Sequence, residues 1–228
     1  MIGRGQHIEV KRLFMPDAIQ RTLALLGFVL TLPLLVALAV AVRAESHGSA
    51  IYSAKRVGEG GRPFTCLKIR SMVARQAPEQ RLTRASDPRV TRIGRMLRRT
   101  HLDELPQLWN IARGEMRFVG PRPEDPHFVD FDLPIHRLVF RARPGITGLA
   151  QLLNADEETR LVDADPERTY RDVLLPRKLE LDAAYLRHRS TRLDLWILAQ
   201  TPRAVLGREI RLPAPLRGEV ANAAGAEL

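Results

Sequence analysis

The chain of 228 residues contains a single cysteine, Cys66. One cysteine excludes a disulfide-stapled scaffold and a zinc site built on cysteines. The glycine-rich signatures of P-loop nucleotide-binding proteins and of dinucleotide-binding folds are also absent. Apolar residues still make up 45% of the chain, so it can bury a core and is not an intrinsically disordered protein.

Acidic residues are too few to balance the basic ones. The chain has 36 lysines and arginines against 26 aspartates and glutamates, which gives a net charge of +10 at pH 7. A basic excess of this size predicts a polyanionic partner. Three classes of partner fit it: nucleic acid, an anionic membrane surface, and phosphorylated substrates.

Charged residues are missing altogether between Arg21 and Arg43. At about 1.5 Å per residue, a helix over this apolar run would be roughly 30 Å long, which matches the hydrocarbon core of a bilayer. The run is longer than a buried core helix needs. It also exceeds the roughly 7–15 apolar residues of a signal peptide, and Arg43 stands where a small-residue cleavage site would be expected. The sequence therefore predicts a membrane-associated protein.

Pro33 lies in the middle of the apolar run. It removes a backbone donor and clashes with the preceding turn, so we expect the helix to kink there. Basic residues flank both ends of the run, so the charges do not mark one end as the outer one. A helix that bends at Pro33 and returns to the same membrane face satisfies both observations. A kinked helix that spans the membrane is the alternative, and the residues alone leave the two open.

Beyond the apolar run the sequence predicts a globular part. Ile51–Tyr52 and Phe64–Ile69 are expected to form short strands of a hairpin around the turn-rich segment 58–63. A helix is expected from Arg92 to Arg99, with one basic and one apolar face. The basic face holds Arg92, Arg95 and Arg99, and the apolar face holds Ile93, Met96 and Leu97. Next to a membrane segment, such a helix favours an interfacial position over an ordinary solvated face.

Two adjacent carboxylates, Asp103 and Glu104, precede a further predicted helix. Pro106 is tolerated only near a helix start, so Asp103 would lie at or near the N-cap. The simplest interpretation is that Asp103 caps the helix and Glu104 complements the helix dipole. Gly114 is placed to end this helix.

Two Gly/Pro turns that follow weaken the capping interpretation. Each turn holds an arginine, Arg122 in the first and Arg143 in the second. Arginine binds phosphate oxygens with a bidentate fork, and a carboxylate can hold a metal ion or attack phosphorus. Carboxylates beside such turns therefore favour phosphate chemistry.

Three motifs occur in this order behind the apolar run: Leu102–Gln107, Val119–Pro123 and Arg143–Gly148. Together they resemble the motifs of the bacterial sugar transferases. These are the monotopic phosphoglycosyl transferases that start polysaccharide and glycan assembly on a polyprenyl carrier. The resemblance runs from about residue 11 to about residue 201.

The resemblance implies a mechanism. Asp103 would be the nucleophile that attacks the β-phosphate of a UDP-sugar and expels UMP, and polyprenyl (undecaprenyl) phosphate would then attack the aspartyl intermediate. Glu104 would bind Mg²⁺. Arg122 and Arg143 would clamp phosphates, and the resemblance places two more basic residues in the same pocket, Lys68 and Arg70.

The resemblance also implies an α+β architecture. An N-terminal re-entrant helix kinked at Pro33 would precede a compact, mostly helical cytosolic catalytic domain with a small β-hairpin and interfacial amphipathic helices. The expected divisions are 1–46 for the basic segment and membrane helix, 47–202 for the catalytic domain, and 203–228 for a flexible tail. The protein would act at the cytoplasmic face of the bacterial inner membrane, without nucleic acid and beside later glycosyltransferases.

Some positions depart from the family pattern. Leu32 stands where the family usually has serine before the membrane proline, and Thr31 is the nearest hydroxyl that could satisfy freed backbone groups. The family's Asn-Gly-Arg-Asn stretch is absent, and acidic residues follow instead in segment 154–165. The sugar donor is therefore not predicted. Two other classes of function stay open from the sequence: a non-catalytic membrane scaffold and a membrane-tethered nucleic-acid-binding protein.

Overall fold

The computed structural model describes residues 15–73, 82–84, 87–153 and 165–225. This part of the chain is helix-rich, with four short strands and one long apolar N-terminal helix, in agreement with the predicted α+β class. The helices are α1 Asp17–Glu45, α2 Arg92–Thr100, α3 Gln107–Arg113, α4 Pro134–Val139, α5 Leu149–Leu153, α6 Pro166–Thr169, α7 Leu175–His188, α8 Thr191–Val205 and α9 Ala214–Gly225. The strands are β1 Ile51–Val57, β2 Pro63–Ile69, β3 Arg117–Val119 and β4 Gly145–Thr147. A π-helical turn, Tyr170–Leu174, joins α6 to α7.

The predicted hairpin is confirmed, and its first strand is longer than expected. Strands β1 and β2 are antiparallel, with Ile51 opposite Ile69 and Val57 opposite Pro63. Phe64 and Cys66 on β2 are buried in the core. The polar residues of β1 are compatible with a strand because most of its side chains are exposed or only partly buried, so alternation with apolar residues is not needed.

Helix α1 is the one helix in the described ranges that is long and apolar enough to cross a membrane. Its 29 residues correspond to about 43 Å. Only 17% of its most apolar window is buried, which does not suit the core helix of a soluble protein. The helix continues through Pro33, and the Thr31 hydroxyl donates to the carbonyl oxygen of Gly27 at 2.8 Å. The expected kink and re-entrant path stay predictions.

One side of α1 packs against the globular part along most of its length. Near its start, the Arg21 side chain donates to the carbonyl oxygen of Ala112 at 2.9 Å. In its middle, the rings of Phe28 and Trp109 lie 5.5 Å apart. Its second half forms one apolar cluster with β2 and α2, whose buried members are Leu35, Leu38, Val42, Ala50, Ile69 and Leu97.

Both ends of α1 are held by the same globular part. At the first turn, Asp17 accepts hydrogen bonds from Arg117 at 2.5 Å and from Arg143 at 3.0 Å. At the last turn, the Glu45 carboxylate accepts the N–H groups of Arg92 and Ile93 at 2.7 and 2.9 Å. Glu45 thereby satisfies main-chain donors at the start of α2, which would otherwise have no partner.

The last two sequence motifs meet in a short parallel pairing. Strand β3 pairs with β4, with Arg117 beside Gly145 and Val119 beside Thr147. The backbones approach so closely that a Cβ on Gly120 would lie 2.6 Å from the carbonyl oxygen of Arg143. Glycine is required here because nothing larger fits between the two turns.

Two elements differ from the sequence predictions. Helix α2 forms as expected, but Met96 is 44% exposed and lies on the arginine side, because only Ile93 and Leu97 reach the apolar cluster under the helix.

The predicted flexible tail contains helix α9, whose Leu216 is fully buried against the core. Glu219 also pairs with His188 at 2.6 Å. The predicted domain divisions stay predictions.

We expect Gly145→Ala to destabilise the fold. The added Cβ would lie 2.1 Å from the main-chain nitrogen of Gly120, so one of the two motif turns must move. Overpacking against backbone costs about 2–3 kcal/mol, or roughly 5–10 °C in the unfolding midpoint of a chain of this size. Thermal unfolding of the full chain in detergent micelles measures the change.

Gly218→Ala is the matched control, since no atom lies within 4 Å of the added Cβ in α9. Alanine is favoured over glycine within a helix by about 0.5–1 kcal/mol, so the midpoint should stay constant or rise. An equal fall in both variants would contradict the close packing of the two turns.

Candidate functional site

The carboxylate pair lies in a tight turn between α2 and α3. His101 ends α2 in the left-handed conformation, with φ at 54°, and Leu102–Glu104 form a single 3₁₀ turn. Helix α3 begins only at Gln107 and has no side-chain cap. The interpretation of Asp103 as a helix cap is therefore wrong, because the left-handed residue and the 3₁₀ turn place the side chain before the helix that it was expected to cap.

The Asp103 side chain is buried, with 7% of its surface exposed. Burial raises the pKa of this carboxyl above its usual range. The charges of Lys68 and Arg98 oppose the shift, and the adjacent Glu104 adds to it. Within the described residues, the Asp103 carboxylate accepts no hydrogen bond. The Asp103 oxygens are not among the fully enclosed side-chain atoms that lack a partner, so they keep some contact with solvent. A carboxylate that is largely buried, unpaired and still reachable from solvent is typical of a group kept for chemistry.

Glu104 is in the opposite situation. Its carboxylate accepts a hydrogen bond from the Lys68 ammonium on β2 at 2.6 Å. Burial alone would raise the pKa of Glu104, but the charges of Lys68 and Arg122 together with this hydrogen bond lower it to about 2. Two adjacent carboxylates thus differ in environment: Glu104 is a fixed anion, and Asp103 is the free one.

Arg122 reaches this pair from the first Gly/Pro turn. Its charge lowers the pKa of Glu104, and its main-chain N–H donates to the Asp182 carboxylate of α7 at 3.3 Å. Asp182 is fully enclosed by the core, and burial raises its pKa to about 7. The structure therefore brings together four of the predicted site residues: Lys68, Asp103, Glu104 and Arg122.

A buried polar network supports the Arg122 turn from behind. Tyr170, at the start of the π-helical turn, donates to the Glu124 carboxylate at 2.5 Å. Lys178 on α7 donates to the Tyr170 hydroxyl at 2.6 Å and lies 3.4 Å from Glu124. These groups satisfy one another in the core, so they fix the loop that carries Arg122.

Arg70 and Arg143 make other contacts. Arg70 is buried and donates to the carbonyl oxygens of Ser46, at 2.7 Å, and of His47, so it holds the exit of α1. Arg143 donates to Asp17 at the start of α1 and to Glu59 at 3.0 Å. Their roles in phosphate binding stay predictions, and in this structure each arginine fixes one end of α1.

Arg98 is a site residue that sequence reasoning did not assign. Its side chain donates to Ser71 at 3.1 Å and to Thr83 at 3.2 Å, and its charge lowers the pKa of Asp103. Helical geometry offered a signal, because Arg98 falls on a different face of α2 from Arg92, Arg95 and Arg99.

The sequence predicts a magnesium ion on Glu104. In residues 15–73, 82–84, 87–153 and 165–225, no group of three or more histidine, cysteine, aspartate or glutamate side chains is arranged to hold a metal ion. Magnesium often uses only one or two carboxylates and completes its shell with water and substrate phosphates. A single carboxylate such as Glu104 fits a site of that type, whereas a closed site made of protein ligands alone does not fit the described residues.

Comparison with known proteins covers most of the chain. The family model described as bacterial sugar transferase matches residues 11–208. A UDP-N-acetylgalactosamine-undecaprenyl-phosphate N-acetylgalactosaminephosphotransferase of Aeromonas hydrophila is 38% identical over 189 residues, which are 80% of this chain and 41% of the relative. A UDP-glucose:undecaprenyl-phosphate glucose-1-phosphate transferase of Caulobacter vibrioides is 38% identical over 178 residues, 76% of this chain and 63% of the relative.

A third relative has a length close to that of this chain. The exopolysaccharide production protein ExoY of Rhizobium meliloti is 36% identical over 209 residues, which are 83% of this chain and 83% of the relative. The chain thus spans less than two thirds of the first two relatives and most of the third.

Proposed function

The chain belongs to the bacterial sugar transferase family, and on this premise we propose that it transfers a sugar phosphate from a UDP-sugar to undecaprenyl phosphate. The product, undecaprenyl diphospho-sugar, would start the assembly of an exopolysaccharide or a related glycan. One observation carries the proposal: the buried Asp103 carboxylate accepts no hydrogen bond in the described part of the chain, while its neighbour Glu104 is held by Lys68.

In the proposed reaction, Asp103 is the nucleophile and Glu104 is not. An Asp103 oxygen attacks the β-phosphorus of the UDP-sugar, the bond from that phosphorus to the bridging oxygen breaks, and UMP leaves with the bonding electrons. An oxygen of undecaprenyl phosphate then attacks the same phosphorus, and the acyl-phosphate bond breaks to restore the Asp103 carboxylate. Asp103 suits this role because its carboxylate accepts no hydrogen bond in the described part of the chain. Glu104 would first have to break its hydrogen bond with Lys68.

Basic side chains around the pair suit a diphosphate. Lys68 and Arg122 lie at Glu104, and Arg98 lies on the side of Asp103. Fixed positive groups of this kind stabilise charge that develops on phosphate oxygens as UMP leaves. A magnesium ion held by Glu104 would neutralise further phosphate charge when bound.

The sugar differs among the relatives. The names of the Aeromonas and Caulobacter proteins specify N-acetylgalactosamine and glucose, and a relative from Erwinia amylovora is named UDP-galactose-lipid carrier transferase. We therefore propose a UDP-sugar donor without choosing the sugar.

We propose that α1 enters the cytoplasmic face of the inner membrane and returns to it. Asp17 at one end and Glu45 at the other both bind the same globular part, which supports a path on which both ends of α1 lie on one side of the bilayer. A spanning helix would separate its ends by about 30 Å of hydrocarbon. The basic helix α2 lies beside the second half of α1, which supports an interfacial position for α2.

Asp103→Asn should abolish the transfer. Purified full-length protein is incubated with undecaprenyl phosphate, Mg²⁺ and a panel of UDP-sugars, and released UMP is measured. We expect at least one donor to yield UMP, and we expect the variant to lose about 1,000-fold or more of the rate, because asparagine is not a nucleophile.

The control for this substitution is Asp132→Asn, which changes an exposed aspartate on another loop and should leave the rate unchanged. Full activity of Asp103→Asn would refute the nucleophile. Failure of every donor to yield UMP would favour a non-catalytic scaffold instead.

Lys68→Met should change how the rate depends on pH. Asp103 must be ionised to attack, so the rate falls as the pH drops through its pKa, which burial has raised. Lys68 opposes that rise, so its removal moves the acid limb to higher pH. We also expect a loss of about 100-fold at pH 7, because a fixed cation next to the phosphates is gone.

Lys55→Met is the matched control, since Lys55 is an exposed residue on β1 whose ammonium contacts Thr65. Its pH–rate profile should coincide with that of the unaltered chain. An acid limb that does not move in Lys68→Met would rule out Asp103 as the group that titrates.

Cysteine labelling tests the path of α1. In a Cys66→Ser background, Ala18→Cys and His47→Cys place one exposed thiol beyond each end of the apolar run. A membrane-impermeant maleimide should label both thiols in inverted membrane vesicles and neither in right-side-out spheroplasts. Labelling of one thiol only from the outside would establish a spanning helix.

A further inference from the structure

Helix α2 carries a basic face that the carboxylate site does not use. Arg92, Arg95 and Arg99 are exposed and lie within an arc of about 60° around the helix. Among the described residues, none of the three guanidinium groups forms an ion pair or a side-chain hydrogen bond. Met96 lies next to Arg92 at the edge of this face and is 44% exposed.

This face is distinct from the catalytic side of the same helix. Arg98, whose charge acts on Asp103, is held by Ser71 and Thr83. The three unpaired arginines point elsewhere, so the phosphates of the proposed reaction do not account for them.

The basic face forms one wall of a groove of about 600 Å³. The opposite wall is the end of α8, where Val205 and the 67% exposed Leu206 provide an apolar surface. The groove is lined by Arg92, Arg95, Met96, Arg99, Thr100, Val205 and Leu206. Cationic and apolar groups therefore share one concave surface.

The groove adjoins the membrane helix. Glu45 at the end of α1 binds the first N–H groups of α2, and Leu97 under α2 packs with Leu38 and Val42 of α1. The exposed side of this half of α1 is apolar, as Val36 and Val40 show. The arginines are thus fixed where the apolar surface of α1 gives way to a polar one.

We propose that this groove binds the head group of an anionic phospholipid. Guanidinium forks match phosphate oxygens, and the apolar wall suits the first carbons of the acyl chains. The proposal rests on the membrane location given under Proposed function, and it concerns a lipid other than the substrate. Nucleic acid fits less well, because none of the described residues that line the groove has an aromatic ring for base stacking.

Lipid retention by the full chain tests the proposal without any sugar donor. The purified protein in detergent micelles is mixed with phosphatidylglycerol or with phosphatidylcholine, and bound lipid is counted by native mass spectrometry. The test variant is the triple substitution Arg92→Gln, Arg95→Gln and Arg99→Gln. The control variant, Arg62→Gln, Arg141→Gln and Arg192→Gln, removes the same charge from exposed arginines outside the groove.

We expect the unaltered chain and the control variant to retain phosphatidylglycerol at least tenfold better than phosphatidylcholine. The test variant should lose this preference, since each arginine near an anionic lipid surface contributes about fivefold. A second variant with lysine at the three positions keeps the positive charge but removes the guanidinium groups that bind phosphate with two hydrogen bonds. It should retain phosphatidylglycerol at an intermediate level, and it tests the proposal even if the glutamine variant fails to fold.

Three results would overturn the proposal: equal retention of both lipids by the unaltered chain, retention by the glutamine variant equal to that of the control, or full displacement of the lipid by inorganic phosphate. Loss of DNA-oligonucleotide binding in the glutamine variant with unchanged lipid retention would assign the groove to nucleic acid. Asp103→Asn should retain lipid normally, so absence of UMP release together with normal retention would refute the proposed function alone.

Discussion

The attachment of both ends of α1 to one globular part is the constraint on which the rest of the structure depends. Asp17 is held by Arg117 and Arg143 at the start, and Glu45 is tied to α2 at the end. Because the carboxylate turn directly follows α2, the position of α1 determines the position of Asp103. The proposed transfer to a lipid acceptor would need this kind of link, since the reacting phosphate of a lipid stays near the membrane surface.

The site itself depends on the different environments of two neighbouring carboxylates, Asp103 and Glu104. Lys68 holds Glu104 and lowers its pKa, and burial raises the pKa of Asp103. Environments that make the pKa values of two acidic groups differ are a usual means of giving those groups separate roles. The close packing of the Gly120 and Gly145 backbones, together with the Glu124 network, supplies the rigid surroundings that hold these two environments apart.

Local patterns in the sequence were sufficient for the hairpin, for α2 and for the end of α3, because each depends on residues close to one another in the chain. The site was predicted in part: the motifs identified Asp103, Glu104, Lys68 and Arg122, which the fold brings together. The contacts of Arg143 could not be predicted, since its partner Asp17 lies 126 positions away. The capping interpretation of Asp103 was wrong because a left-handed His101 has no clear sequence signal, and α9 was missed because its few apolar residues are buried only by tertiary packing.

The net charge of +10 can now be divided by what each arginine faces. Arginines such as Arg117 and Arg143 lie within hydrogen-bond distance of carboxylates, so the opposite charges of each pair largely cancel at a distance. Beyond about 8–10 Å, dissolved salt screens what remains of their field. Arg98 and Arg122 act on the carboxylate pair. Among the described residues, Arg92, Arg95 and Arg99 form no ion pair, and the charge of Arg92 is partly offset by the Glu45 carboxylate. Arg95 and Arg99 therefore contribute most to the field that an approaching anionic surface meets. A basic excess arranged in this way favours a membrane over nucleic acid, because the uncompensated charge lies beside the one long apolar helix of the described chain.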